Sequence, residues 1–139
     1  MPGQLALFKI YTMNAQIQYY ENKLAFEMDP ADLFEALKKG ENIVVVDARK
    51  PFGFENEHIP GSINLPHREM TAETTAHLDK ESLYAVYCAG SGCNASTKGA
   101  IKLAGLGFKV KELTGGLEWW KIDGYATEGA NGVKMACAC

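Results

Sequence analysis

Four consecutive β-branched residues, Ile43-Val44-Val45-Val46, constrain this chain more than anything else in it. No polar residue interrupts the run, so both faces of the strand it forms have to be covered. That is the habit of parallel sheets, not of antiparallel ones with a wet face. Tyr84-Ala85-Val86-Tyr87 is a second run of this kind. Phe108 to Leu113 is a third, in which Lys109 and Lys111 alternate against Val110 and Leu113.

Between and around these strands the pattern turns helical. Asp29-Pro30 is a helix start, with an N-cap carboxylate followed by proline at the first helical position. Leu33, Phe34 and Leu37 continue that helix, and Gly40 stops it. Ser96 to Leu106 reads as a helix whose small residues, among them Gly99, Ala100 and Ala104, let it lie close to a sheet. Gly115-Gly116 makes a turn, and Leu117 to Ile122 a short helix carrying Trp119 and Trp120, one expected as a core anchor and the other as a partly exposed ring. An earlier helix is expected over Asn14 to Lys23, where Ala15, Ile17, Tyr20 and Leu24 give a partial apolar face. Strands alternating with helices predict an α/β fold with parallel pairing and helices on both faces of the sheet. The chain divides into an N-terminal helical extension (1–25), one domain (26–128) and a Cys-containing tail (129–139) expected to be flexible.

Composition narrows the function classes. A formal charge of −3 argues against an electrostatic nucleic-acid binder. No apolar run approaches the roughly 18 residues that cross a bilayer, and the first residues lack a basic region, so no membrane partner and a cytoplasmic location are expected. There are four cysteines, Cys88, Cys93, Cys137 and Cys139. In a reducing compartment these are better read as catalytic, redox-active or metal-binding than as a disulfide framework. The tail pair is too closely spaced for the usual zinc-ligand pattern, and an inert terminus outranks a sulfur-accepting one. No metal and no organic cofactor is expected.

The chemistry is concentrated where a buried strand ends in a cysteine. Cys88-Ala89-Gly90-Ser91-Gly92-Cys93-Asn94-Ala95-Ser96 follows the Tyr84–Tyr87 run and leads into a helix. Ligand sites in open α/β sheets lie outside the carboxyl ends of strands. Small residues let successive backbone N–H groups turn inward as an anion-binding nest, to which the helix start adds its positive end. Such a loop is expected to lower a thiol pKa and to hold a persulfide or an oxyanion. The competing reading is a buried structural cysteine beside an ordinary strand-to-helix turn.

Two longer segments flank this loop. Asp47-Ala48-Arg49 followed by Phe54-Glu55-Asn56-Glu57-His58-Ile59-Pro60-Gly61-Ser62-Ile63-Asn64-Leu65-Pro66 resembles the first signature of the rhodanese family. Gly107-Phe108-Lys109-Val110, then Leu113-Thr114-Gly115-Gly116-Leu117-Glu118-Trp119-Trp120 and Gly124-Tyr125, resembles its C-terminal signature. The resemblance spans residues 26 to 127. It implies a five-stranded, mainly parallel sheet and transfer of sulfane sulfur to a thiophilic acceptor through a cysteine persulfide. Carried onto this chain, it makes Cys88 the nucleophile, with Cys93 as alternate nucleophile or resolving thiol. Asp47 and Arg49 become a supporting ion pair at the rim, and His58 a hydrogen-bonding anchor of its turn.

The loop departs from the family pattern. Ser96 falls at the family's serine, but Ala95 stands where many members carry an arginine that binds the anionic donor, and the loop is two residues longer. Lys98 in the first helical turn is the available cation. The missing arginine favours a low-molecular-weight persulfide over thiosulfate as donor. The expected partners are a small sulfur donor and a thiol or cyanide-like acceptor, with a second copy contacting the helix around Tyr19 and Tyr20. Two alternatives stay open: a non-catalytic binding module on the same fold, and Cys-based phosphatase or arsenate-reductase chemistry, which the absent arginine disfavours.

Overall fold

The computed structural model describes residues 2–135. In chain order its elements are α1 (Pro2–Phe26), β1 (Glu27–Met28), α2 (Pro30–Lys38), β2 (Ile43–Asp47), α3 (Pro51–Asn56), β3 (Ile63–Asn64), β4 (Leu83–Tyr87), α4 (Ala95–Gly105), β5 (Lys109–Leu113) and α5 (Gly116–Ile122). A 3₁₀ turn at His67–Glu69 lies between β3 and β4. The strands form one five-stranded sheet in the order β1-β5-β4-β2-β3, and every pairing is parallel.

Period-two alternation sorts the strand residues onto two cores. Val45, Ala85 and Tyr87 face one side, where Leu33 of α2 and Leu117 and Trp120 of α5 cover them. Val46, Tyr84 and Val86 face the other, against Leu103 of α4, Met70 and Phe108. Both faces of the β-branched runs are thus buried, as their lack of polar residues requires. Trp120 is the core anchor at 3% exposure and Trp119 the exposed ring at 45%. Asp29 caps α2 by accepting from the Asp32 amide at 2.8 Å, and Gly40 leaves it at φ 75°.

The chain leaves β2 for β3 in one direction and β4 for β5 in the other. The carboxyl ends of β2 and β4 therefore flank the crevice where ligands bind in such sheets.

Two segments differ from expectation. Helix α1 runs for 25 residues, beginning twelve residues before Asn14 and ending three after Lys23. Apolar periodicity marks a helix only where a face is covered, and α1 leaves Ile10, Met13, Ile17, Tyr20 and Leu24 exposed. Its length follows instead from the absence of a breaker between Gly3 and Asp29-Pro30. The start of the expected flexible tail is tied down. Ala130 N–H donates to Glu55 O at 3.0 Å, Asn131 N–H to Asn56 O at 2.8 Å, and Val133 N–H to Thr127 Oγ1 at 2.8 Å. Cys137 and Cys139 lie outside the described residues. Among the described residues no helix is long and apolar enough to cross a membrane.

Candidate active site

Strand β4 delivers Cys88 to the crevice. Its last residue, Tyr87, is fully buried and anchored at both ends: its hydroxyl meets the Ile59 amide and Ser62 Oγ, each at 3.1 Å, and its carbonyl accepts from Ala48 N–H at 2.9 Å. Cys88 follows at 1% exposure. The start of α5 then grips the loop from the side. Leu117 N–H donates to Cys88 O and Glu118 N–H to Ala89 O, each at 2.9 Å. The approach is close enough to require glycine at Gly116, where φ is +55° and a Cβ would lie 2.3 Å from Cys88 O.

Cys88 Sγ lies 3.2 Å from Cys93 O, 3.8 Å from Gly90 O and 3.4 Å from Ser96 Oγ. Ser96 Oγ in turn donates to Glu112 Oε2 at 2.7 Å, and Thr97 Oγ1 donates to the same oxygen at 2.6 Å. With its one proton committed to Glu112, Ser96 presents lone pairs to the sulfur. Cys88 is therefore a thiol facing acceptors. Burial first, and the Cys93 thiol beside it, push its pKa up against the pull of the Ser96 amide. This corrects the expectation of a lowered Cys88 pKa: a glycine-rich loop supplies amides, but two of its carbonyls point at this sulfur.

The amides serve Cys93 instead. Burial raises that thiol, but the Ala95 amide, the Cys88 thiol and the Ala89 amide outweigh it, with the Arg49 charge adding to them, so its pKa is lowered. Alkylation followed by peptide mass spectrometry is accordingly expected to modify Cys93 at lower pH than Cys88. The reverse order would mean that the amides turn to Cys88 in solution.

The cavity above Cys88, about 320 Å³, is lined from the loop by Gly90, Ser91, Cys93 and Ser96. Ala89 is held by α5, Gly92 and Asn94 are exposed, and Ala95 packs into the core on the α4 side. Arg49 forks onto buried Asp47 (Nη2 to Oδ2 2.7 Å, Nε to Oδ1 3.0 Å) and also donates to Glu57 O at 2.6 Å. Their role is to fix the end of β2. His58 donates from Nδ1 to Phe54 O at 2.6 Å and stacks on the Phe54 ring, so it pins the α3 turn and does not line the cavity. Lys98 does not line it either; its charge acts on His67, on the other side of the loop.

Glu112 is the site residue that sequence reasoning missed. In register it pairs with Val86, two residues before Cys88 and therefore on the same face of the sheet. A carboxylate on the buried face of a strand was the available signal. Glu27 and Trp119 also line the cavity.

Residues 30–123 match the model of the rhodanese-like domain. The thiosulfate sulfurtransferase GlpE of Pseudomonas syringae pv. syringae is 33% identical over 97 residues, 69% of this chain and 88% of that protein. GlpE of Coxiella burnetii is 35% identical over 101 residues, 72% of this chain and 90% of that one. The crystal structure of the BH2092 protein from Bacillus halodurans superposes with a TM-score of 0.82 at 43% identity, covering 86% of this chain and 88% of that one. A matching domain over most of the chain, on a parallel sheet with a cysteine at the end of its central strand, leaves one conclusion: this chain belongs to the rhodanese-like domain family.

Proposed function

We propose that the protein is a sulfurtransferase that carries sulfane sulfur as a persulfide on Cys88, between a small donor and a thiophilic acceptor. The observation that carries this reading is the chain of contacts Cys88–Ser96–Glu112 at the base of an open cavity. A buried thiol is a poor nucleophile until its proton has somewhere to go. Ser96 can accept that proton while passing its own to Glu112, which gives Cys88 a thiolate at the moment of attack. The thiolate attacks the outer sulfur of the donor, the donor's remainder leaves, and an acceptor later takes the sulfur from Cys88.

The cavity's charge supports a persulfide donor over thiosulfate. Glu27 and Glu112 line it, and no lysine or arginine does. A dianion is disfavoured there, and the same charge pattern weighs against phosphatase chemistry, whose substrate is also a dianion.

Incubation with glutathione persulfide, followed by intact-protein mass spectrometry, is expected to yield a species one sulfur atom heavier, located at Cys88. A protein that gains no sulfur would favour the non-catalytic binding module. Glu112→Gln is expected to slow charging on the order of a hundredfold near neutral pH. The deficit should shrink as pH rises and Cys88 ionises unaided. A loss independent of pH would make Glu112 structural.

A further inference from the structure

Cys93 lines a second cavity of about 240 Å³ on the opposite side of the loop from Glu112. Its character is the reverse of the first. Arg49, Lys50 and Arg68 line it, and no carboxylate does. His67 lines it too, and its buried Nδ1 has no hydrogen-bond partner among the described residues. These cations come from the end of β2 and from the 3₁₀ turn, and none of them lines the cavity above Cys88.

Building on the proposed sulfur transfer, we propose that Cys93 is the exit thiol. It takes the sulfane sulfur from the Cys88 persulfide and hands it to a small thiophilic anion bound among Arg49, Lys50 and Arg68. One residue lines both cavities, and its backbone oxygen lies 3.2 Å from Cys88 Sγ, which sets Cys93 against the carrier sulfur. The Arg49 guanidinium and the loop amides favour Cys93 as thiolate, the form that attacks.

In the first step the Cys93 thiolate attacks the outer sulfur of Cys88–S–SH. A sulfur–sulfur bond forms at Cys93, the one at Cys88 breaks, and its electron pair leaves on the Cys88 sulfur as thiolate. The products are Cys88–S⁻ and Cys93–S–SH, with no net oxidation. In the second step an anion such as sulfite attacks the outer sulfur of Cys93–S–SH through its own sulfur lone pair. Cys93 thiolate leaves, and thiosulfate and a proton are released. Neither step needs an external oxidant or reductant.

The test charges each protein with glutathione persulfide, removes the excess, and follows discharge by sulfite or by neutral 2-mercaptoethanol. Cys93→Ser is expected still to accumulate persulfide at Cys88, and to discharge it to sulfite roughly tenfold or more slowly than the wild type. Lys50→Glu combined with Arg68→Glu, both exposed positions, should slow discharge to sulfite and spare discharge to 2-mercaptoethanol. Discharge of Cys93→Ser to sulfite at the wild-type rate overturns the relay, as does equal slowing of both acceptors by the charge reversals. Failure of Cys93→Ser to charge overturns it as well, since Cys93 would then be the entry thiol. Absence of persulfide from both cysteines of the wild type would instead sink the sulfur-transfer reading itself.

Discussion

Cys88→Ser protein, given glutathione persulfide and an acceptor, is expected to show no turnover above background while melting within a few degrees of the wild type. A serine hydroxyl ionises far above any working pH and forms no sulfur–sulfur bond, so the intermediate itself is abolished. The loss is on the order of the 10⁶-fold seen when a covalent nucleophile is removed from a hydrolase. Stability is nearly spared because the change swaps one atom at a site already rich in acceptors: Gly90 O, Cys93 O and Ser96 Oγ can each take the new hydroxyl proton. A cost of about 1 kcal/mol is the central tendency for such a substitution. Steady-state rates and a thermal melt on the same preparation check both halves. Full activity in Cys88→Ser, lost in Cys93→Ser, would move the nucleophile to the second cysteine.

Gly116→Ala is expected to be the more damaging change for the fold. Its Cβ would lie 2.3 Å from Cys88 O and 3.0 Å from Cys88 C, backbone atoms fixed by β4 and by the Leu117 hydrogen bond. The residue sits at φ +55°, which costs an L side chain about 1–2 kcal/mol. Displacing packed neighbours adds about 1–3 kcal/mol. Together these predict a loss of about 2–5 kcal/mol and a fall in Tm on the order of 10 °C for a domain of this size. Sulfur transfer should fall with it, because relief of the clash moves the carbonyl of the nucleophile. Gly92→Ala is the control: nothing lies within 4 Å of its Cβ position, and its stability should stay within about 0.5–1 kcal/mol of wild type. Equal melting of Gly116→Ala and wild type would show that α5 yields more readily than its hydrogen bonds imply.

What could be read in advance followed from burial. β2 and β4 were legible because Ile43–Val46 and Tyr84–Tyr87 are apolar on both faces. β1 and β3, at two residues each, carry no pattern long enough to read. Helix α1 was read short because most of its apolar residues stay exposed, so no covered face sets a period along it. At the site, the strand-end position of Cys88 and its small-residue loop were legible from local sequence alone. The acidity of the two thiols was not. Composition reveals that amides and carbonyls are free to turn inward, but which of them face which sulfur depends on α5 holding Cys88 O and Ala89 O, a contact nearly thirty residues distant. Glu112 stayed hidden for the same reason: its meeting with Ser96 joins strand β5 to helix α4, sixteen residues away in sequence.

The strand order has a consequence for how the protein is made. β5 is the last strand synthesised, yet it lies between β1 and β4, and the residues that close over Cys88 come from it and from α5. A chain growing from its amino end exposes the cysteine before Glu112 or Gly116 exists. Until those residues emerge, neither the carboxylate that Ser96 meets nor the grip of α5 on the Cys88 carbonyl can form. The nascent polypeptide is therefore more vulnerable to electrophiles and oxidants than the finished protein. Emergence of β5 and α5 is what converts an ordinary cysteine into a guarded one.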